Sequence, residues 1–268
     1  MRILITGKNG YIAKSLLANL DNYFDFTYPS FFTSCGKDDF DLTNREDTTN
    51  WFRKYGYFDV VIHTAINGGS RLQKDDNNVL ANNLKMFYNL LANKNRFGQL
   101  ISFGSGMELN NPTDPYGLSK RIIWDIIKND PKLNNIRIFG VFDENELPTR
   151  FIKTNLNNYI NKKPLIIHQD KQFDFIYMKD LITIVNFIIA NPHIKLINCC
   201  YKEHYKLSDI ANFINKLDNH HCEIKIENKN LGVPYKGQFV DYKLNLIGLK
   251  EGIKKIYNDG NIILHSNS

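Results

Sequence analysis

The chain begins with a short apolar strand that leads into a glycine turn, and this feature limits the possible folds more than any other. Residues Arg2–Thr6 form a run rich in apolar and β-branched side chains, which is typical of a buried parallel strand. A turn follows from Gly7 to Gly10, and a helical pattern runs from Ile12 to Leu20. A strand, a glycine turn and a helix in this order predict the first unit of a doubly wound parallel sheet.

The small residues of this turn are spaced to form a cradle for a dinucleotide. Gly7 permits the tight turn, Gly10 lets the backbone approach a pyrophosphate, and Ala13 allows close packing of helix and strand. The helix N-terminus adds partial positive charge and N–H groups for the phosphates. The residues expected to contact the cofactor here are Gly7, Asn9, Gly10, Tyr11 and Ile12.

Composition narrows the class of protein. The chain has 268 residues, 43% of them hydrophobic, which is enough for one large domain or two closely joined ones. Its net charge is +6, but the lysines are spread along the chain, so nucleic acid is not an expected partner. A mild positive field would suit an anionic cofactor or substrate. No apolar run could span a membrane and no signal peptide is recognisable, so we expect a cytoplasmic protein without a membrane partner.

The four cysteines give no indication of a metal site. They form no Cys-x-x-Cys pair, so we expect reduced thiols rather than zinc ligands or a disulfide framework. No metal is therefore included in the expected site.

The residues after the second predicted strand bear on which nicotinamide cofactor would bind. We place this strand at Phe24–Tyr28, and no acidic residue follows it where a carboxylate would hold the ribose of NAD. Lys37 lies further along, and a cation suits the 2′-phosphate of NADP. NADP(H) is therefore the expected cofactor, with NAD(H) as the alternative. The competing interpretation of Lys37 is an ordinary solvated lysine.

Tyr116 and Lys120 form the second pattern that carries chemistry. Pro115 suits the first position of a helix, and side chains four residues apart lie on one helical face. An ammonium beside a phenol stabilises the phenolate and brings the phenol pKa, ordinarily near 10, toward the working range of an acid or base. Ser105 ends the predicted strand Gln99–Ser105, at the sheet edge where ligands gather in open α/β folds.

Together these motifs resemble the extended branch of the short-chain dehydrogenase/reductase superfamily, the NAD-dependent epimerase/dehydratase family. The resemblance rests on the Gly-x-x-Gly-x-x-Ala turn and on Ser105, Tyr116 and Lys120, which match the superfamily's Ser-Tyr-Lys triad. It implies that Tyr116 gives a proton to a substrate carbonyl oxygen and that Ser105 orients this oxygen. It also implies that Lys120 lowers the Tyr116 pKa and holds the nicotinamide ribose.

The resemblance also implies cofactor contacts outside the glycine turn. The Asp41-Leu42 pair resembles the family's adenine-side residues, and the small residues after the strand Asp59–Ala65 would border the ribose. Asn83 would hold a structural water or a backbone kink near the active site, whereas His63 is interpreted as a core histidine. The further cofactor residues implied are Lys37, Asp41, Leu42, Thr64, Ala65, Ile66, Asn83, Tyr116 and Lys120.

The implied fold is an α/β Rossmann-type doubly wound parallel sheet with a smaller C-terminal α/β substrate-binding region. Residues 1–143 would form the dinucleotide-binding domain, with residues 173–200 returning to it. Residues 144–172 and 201–268 would bind the substrate, and a homodimer is typical of the family. Substrate contacts are expected at Asn67, Met107, Phe142, Arg150 and Lys236.

Within the family, the chain most resembles the GDP-L-fucose synthase-like nucleotide-sugar 4-ketoreductases. Those synthases also epimerise the sugar, using a cysteine two residues past the serine and a later histidine. Met107 and Phe142 stand at these positions, and neither side chain can transfer a proton. We therefore expect NADPH-dependent reduction of the C4 keto group of a nucleoside-diphosphate 4-keto-6-deoxy sugar, without epimerase activity, in deoxysugar and surface-glycan biosynthesis.

Other activities of the fold are alternatives. A nucleotide-sugar 4-epimerase would keep NAD tightly bound, and a non-catalytic NADP-binding sensor or scaffold would need no catalytic tyrosine or lysine. The 4,6-dehydratase branch requires an Asp-Glu pair directly after its hydroxyl residue. Gly106 and Met107 occupy these positions, and Glu108 is displaced by one, so this branch is not favoured.

Overall fold

The computed structural model describes residues 1–19, 31–70, 73–109 and 112–266, and side chains as far as residue 259. The chain divides into two compact units, one made of Met1–Arg137 and Ile184–Ile197, the other of Ile138–Thr183 and Asn198–Ser268. The first unit thus ends at Arg137 rather than at residue 143. Of the segment expected to return to it, only Ile184–Ile197 packs with this unit.

A six-stranded sheet forms the centre of the first unit. Its strands are β1 (Arg2–Thr6), β2 (Phe31–Cys35), β3 (Phe58–His63), β4 (Phe97–Ser105), β5 (Leu133–Ile138) and β9 (Leu196–Cys199), in the order β2-β1-β3-β4-β5-β9. The pairs β1–β2, β1–β3 and β3–β4 are parallel. Because β2 and β3 lie on opposite sides of β1, the strand order reverses there and creates a ligand crevice at the carboxyl ends of β1 and β3. The predicted Rossmann-type fold is confirmed.

Polar caps mark where most helices of this unit begin. The helices are α1 (Tyr11–Ala18), α2 (Arg45–Tyr55), α3 (Asn77–Leu91) and α4 (Pro115–Ile127), and α6 (Met178–Ala190) enters the unit at its C-terminal end. The side chains of Asn44, Asp76 and Asp114 accept N–H groups from the first turns of α2, α3 and α4. Pro115 is the first residue of α4, as expected.

An apolar core between the sheet and α2, α3 and α4 holds these strands in place. Phe52 of α2, Phe58 of β3 and Phe87 of α3 are all fully buried in it. Burial of each such side chain stabilises the fold by roughly 1.5–3 kcal/mol. The core therefore fixes the strand ends, where the polar residues of interest lie.

The strand beside β1 lies later in the chain than expected. The expected strand Phe24–Tyr28 lies outside the described residues, whereas Phe31–Cys35 pairs with β1 along its whole length. Lys37 follows this strand closely, and so do Asp38 and Asp39. The expected lack of acidic residues therefore does not hold for the strand that flanks β1.

The second unit is a smaller α/β arrangement. Its strands are β6 (Val141–Phe142), β7 (Leu165–Gln169), β8 (Ile176–Tyr177) and β10 (Ile224–Asn228), and its helices are α5 (Phe151–Ile160), α7 (Leu207–Ile214) and α8 (Leu249–Ser266). Strand β6 pairs with β8, and β7 pairs with β10. Asp174 accepts the Gly237 N–H at 2.8 Å and Asp180 accepts the Gly248 N–H at 2.9 Å, so two buried carboxylates hold the irregular segment that precedes α8.

Within the described ranges, no helix combines the length and the apolar character that crossing a membrane requires.

Candidate active site

The glycine turn lies at the point where the strand order reverses. Gly7 has a φ of +75°, and a Cβ on it would lie 2.7 Å from the Cα atom of Ala65. Only glycine allows both this conformation and this approach of two backbones. The Thr64 hydroxyl donates to the Thr6 carbonyl oxygen at 2.6 Å, and the Ala65 N–H donates to the Thr6 hydroxyl at 3.4 Å. The turn and the segment after β3 therefore form one joined surface.

Gly10 ends the turn and directly precedes helix α1. Its φ of −77° suits any residue, and a Cβ would meet only the Gly7 carbonyl oxygen, at 3.2 Å. The backbone conformation therefore does not demand a glycine here, and a Cβ would require the Gly7 carbonyl oxygen to shift by a few tenths of an ångström. No side chain caps the N-terminus of α1, unlike those of α2, α3 and α4. An uncapped helix N-terminus beside two glycines fits the diphosphate of a dinucleotide.

The side chains of the turn reach the residues that follow β2. The Lys8 ammonium donates to the Asp39 carboxylate at 2.6 Å, and the Asn9 amide donates to Asp38 at 3.0 Å. The hydrogen bond with Lys8, together with the Gly36 N–H, lowers the pKa of Asp39. Lys37 is exposed next to these groups. Two lysines and two carboxylates thus share the position where an adenosine ribose is expected.

Ser105 lies where β4 gives way to a single 3₁₀ turn, Gly106–Glu108. Its hydroxyl oxygen accepts the Met107 N–H at 3.2 Å, and its own N–H donates to the Glu108 carboxylate at 3.3 Å. Ser105 is therefore fixed at the carboxyl edge of the sheet, as predicted. Met107 is 42% exposed at the same edge.

A glycine lets helix α4 approach this turn. A Cβ on Gly117 would lie 2.7 Å from the Met107 carbonyl oxygen and 2.7 Å from the Asp114 carboxylate. The first turn of α4, which carries Tyr116, therefore lies directly against the backbone of the Ser105 turn. This contact explains why a glycine follows Tyr116 in the sequence.

Lys120 ties α4 to β4. Its ammonium donates to the Phe103 carbonyl oxygen at 2.5 Å and lies 5.7 Å from the centroid of the Tyr116 ring. The contacts of Lys120 and Gly117 thus bring Ser105, Tyr116 and Lys120 to one edge of the sheet.

Burial controls the ionisation of the groups behind this edge. It lowers the pKa of Lys120 to about 8, against the opposing effect of the Glu108 carboxylate. Burial also lowers the pKa of His63 to about 3, helped by the charge of Lys120, so this imidazole is neutral. His63 Nδ1 shares a hydrogen bond with the Thr6 hydroxyl at 2.9 Å, which confirms its interpretation as a core histidine.

A pair of glycines supports the Tyr116 ring. Gly68 and Gly69 have φ values of +76° and +74°, and a Cβ on Gly69 would lie 2.7 Å from a ring carbon of Tyr116. Asp75 accepts the Gly69 N–H at 3.0 Å and anchors the loop. The glycine pair is visible in the sequence, but its contact with Tyr116 is not.

Asn83 binds the backbone of the loop after β3, and Leu42 belongs to the apolar core. Both functional groups of the Asn83 amide bind the Asn67 backbone, at 2.8 and 3.0 Å, and its nitrogen also donates to the Ser119 hydroxyl. Asn83 therefore holds the loop directly. Leu42 is buried in the apolar core, so its side chain is withdrawn from a cofactor, whereas Asp41 is exposed.

The expected substrate contacts are divided between the units. Asn67 and Met107 are exposed in the first unit, near Ser105 and the loop after β3. Phe142 is fully buried in the core of the second unit, where it packs against Tyr177, so its prediction as a substrate contact is wrong.

Two basic side chains remain as candidate substrate contacts in the second unit. Arg150 is exposed at the start of α5, and Lys236 is exposed in the segment that precedes α8.

A change of Gly10 to Ala should separate cofactor binding from folding. Because the φ of Gly10 suits alanine and the Cβ requires only a small shift of the Gly7 carbonyl oxygen, we expect at most a small decrease in the thermal denaturation midpoint. The methyl group fills the space needed by a diphosphate, so dinucleotide affinity, measured by fluorescence titration, should fall about tenfold or more.

The matched control is Gly248→Ala, whose glycine has a φ of +91° and no neighbour within 4 Å of a Cβ. This variant should lose stability, by about 1 kcal/mol, and keep its dinucleotide affinity. Unchanged affinity in the Gly10 variant would contradict the assigned cradle.

Comparisons with known proteins agree with this geometry. The sequence profile of the NAD dependent epimerase/dehydratase family matches residues 3–200. CDP-abequose synthase of Yersinia pseudotuberculosis is 23% identical over 291 residues, covering 95% of this chain and 97% of that protein.

Two solved structures show the same fold. A dTDP-4-dehydrorhamnose reductase from Clostridium acetobutylicum has a TM-score of 0.78 at 19% identity, over 97% of this chain and 100% of that one. A GDP-mannoheptose C4 reductase from Campylobacter jejuni, with NADP bound, has a TM-score of 0.77 at 16% identity, over 97% and 98%. Because the family profile matches residues 3–200, the chain belongs to the NAD dependent epimerase/dehydratase family, within the extended short-chain dehydrogenases/reductases.

Proposed function

We propose that this protein uses NADPH to reduce the C4 keto group of a nucleoside-diphosphate 4-keto-6-deoxy sugar in deoxysugar and surface-glycan biosynthesis. The observation that carries the proposal is the placement of Ser105, Tyr116 and Lys120 at one sheet edge, next to the glycine turn. Family membership supports a nicotinamide dinucleotide, and the names of the similar proteins support a nucleotide-sugar substrate.

The residues of the first unit fit such a cofactor. The backbone from Gly7 to Ile12 would hold the diphosphate, Thr64, Ala65 and Ile66 would border a ribose, and Lys120 would hold the nicotinamide ribose. The bound nicotinamide supplies a hydride to the carbonyl carbon.

Tyr116 completes the reduction by giving its hydroxyl proton to the carbonyl oxygen, so that C=O becomes CH–OH. Ser105 orients that oxygen, because its hydroxyl is fixed at the end of β4 by the Met107 N–H. The Lys120 ammonium favours the phenolate left on Tyr116 and is itself held by the Phe103 carbonyl oxygen. With a Lys120 pKa of about 8, this support is present at neutral pH and lost as the pH rises above 8.

The charges that follow β2 favour NADPH over NADH in this proposal. Asp38 and Asp39 are engaged by Asn9 and Lys8, which leaves Lys37 to meet a 2′-phosphate. NAD(H) remains the alternative, because either carboxylate could instead accept a ribose hydroxyl.

The proposed reaction includes no epimerisation. Met107 carries no group that can transfer a proton, and the phenyl ring of Phe142 is buried in the core of its unit. Solvent deuterium entering C3 or C5 of a 4-keto sugar without NADPH would contradict this.

Two other functions are distinguished by simple observations. A nucleotide-sugar 4-epimerase would purify with bound NAD and would need no added reductant. A non-catalytic NADP-binding sensor would bind the dinucleotide but turn over no sugar. The Ser105, Tyr116 and Lys120 arrangement favours an enzyme over a sensor.

A change of Tyr116 to Phe should remove the proton donor while keeping the ring that packs on Gly69. We expect turnover to fall by about 10²–10⁴-fold, with NADPH affinity within about twofold of the wild type. The assay follows NADPH absorbance against CDP-, GDP-, UDP- and dTDP-linked 4-keto-6-deoxy sugars. The control is Tyr57→Phe, an exposed tyrosine just before β3, which should keep the wild-type rate. A Tyr116 variant with most of its rate would show that the phenol has no such role.

A change of Lys37 to Gln should test the choice of cofactor. Loss of one charged phosphate contact, about 1.5 kcal/mol, should weaken NADPH binding roughly tenfold and leave NADH binding nearly unchanged. Calorimetric titration of both cofactors measures this, with Lys54→Gln, at the end of α2, as the control. Equal losses for NADPH and NADH would argue against a 2′-phosphate contact at Lys37.

A further inference from the structure

A buried ion pair lies directly behind the candidate active site. The Glu108 carboxylate and the Arg137 guanidinium pair with side-chain exposures of 0% and 8%. The Asn135 amide donates to the same carboxylate at 3.1 Å. Removing two charges from water is costly, and apolar residues often replace such pairs without loss of stability. Stability alone therefore does not explain a buried ion pair at this position, and a role in the active site is a reasonable hypothesis.

Glu108 contacts the backbone of the catalytic serine. Glu108 Oε2 accepts the Ser105 N–H at 3.3 Å, while the Ser105 hydroxyl accepts the Met107 N–H, so the two side chains cap one turn reciprocally. A Cβ on Gly104 would lie 2.7 Å from Glu108 Oε2 and 2.6 Å from the Asn135 amide nitrogen. The glycine before Ser105 is thus required to make room for this carboxylate.

Glu108 and Lys120 bind backbone groups two residues apart at the end of β4, because Lys120 donates to the Phe103 carbonyl oxygen and Glu108 accepts the Ser105 N–H. The Glu108 charge raises the pKa of Lys120, in opposition to burial. Burial raises the pKa of Glu108 itself, and the Arg137 guanidinium acts against this rise and favours the carboxylate.

The titratable and charged groups that face this pair include the neutral imidazole of His63 from β3 and the phenol of Tyr116 on the same helix as Lys120. Arg137 of β5 pairs with the Glu108 carboxylate, and Arg121 of α4 donates to the Glu108 carbonyl oxygen at 3.5 Å. If the Glu108 charge were lost, the cations of Lys120 and Arg137 would remain buried without it.

We propose that Glu108, anchored by Arg137, is a positioning residue that holds Ser105 at the sheet edge and places a carboxylate beside the end of β4 to which Lys120 binds. This inference rests on the proposed function of Ser105 and Lys120. Glu108 touches neither substrate nor cofactor in this account and acts only through those two residues.

The experiment compares the wild type with Glu108→Gln and with the double variant Glu108→Gln/Arg137→Met. Glutamine keeps an oxygen that can accept the Ser105 N–H but removes the charge, and methionine removes the cation that would then be unpaired. The matched control is Asp130→Asn, which removes the carboxylate that pairs with Lys94 near the opposite end of β4. The readouts are NADPH affinity by fluorescence between pH 6 and 10, thermal denaturation, and kcat and KM for the 4-keto sugar.

In the wild type, NADPH affinity should fall as Lys120 loses its proton near pH 8. In Glu108→Gln this fall should move to lower pH, and kcat should drop about tenfold or more with KM within about twofold. The double variant should regain thermal stability but keep the shifted pH dependence and the low kcat. Asp130→Asn should lower the thermal denaturation midpoint and leave kcat, KM and the pH dependence of NADPH affinity unchanged.

An unshifted pH dependence in Glu108→Gln would overturn the proposal. Recovery of both stability and kcat in the double variant would also overturn it, because the pair would then be purely structural. A wild type that binds NADPH but reduces no sugar would refute the proposed function, while the pH dependence of NADPH affinity would still decide the role of Glu108. A wild type that binds no NADPH at any pH would refute both.

Discussion

The Lys120 ammonium, hydrogen-bonded to the Phe103 carbonyl oxygen, is the interaction on which the candidate site depends. It joins α4, which carries Tyr116, to the end of β4, which carries Ser105. Because the ammonium is buried, its surroundings decide its charge as well as its position. Structural support and proton chemistry therefore depend on the same side chain.

Glycines shape the candidate site as much as its polar groups do. Gly7 lets β1 end against the backbone after β3, Gly117 lets α4 approach the Ser105 turn, and Gly69 leaves room for the Tyr116 ring. Each close approach is made at the carboxyl edge of the sheet, after β1, β3 or β4. In the proposed function a dinucleotide and a carbonyl substrate would occupy this edge, and these glycines leave room there.

Sequence patterns predict those elements whose apolar runs, glycines or prolines lie within the element itself. Strand β1, the glycine turn and the proline start of α4 were correctly predicted, because apolar runs and turn residues act over a few positions. Strand β2 was misplaced because two neighbouring aromatic runs, Phe24–Tyr28 and Phe31–Cys35, match a strand equally well. The Glu108–Arg137 pair and the burial of Phe142 depend on contacts between distant segments, which periodicity does not contain.

The central claim is that this edge reduces a sugar carbonyl, and isotope tracing tests it most directly. A nucleoside-diphosphate 4-keto-6-deoxy sugar is incubated with NADPH deuterated at its transferable position, and the product is examined by mass spectrometry and NMR. The account predicts one deuterium on C4, the carbon that carries the new hydroxyl group, with one cofactor oxidised per sugar. Deuterium that stays on the cofactor, or a product with unlabelled C4, would contradict it.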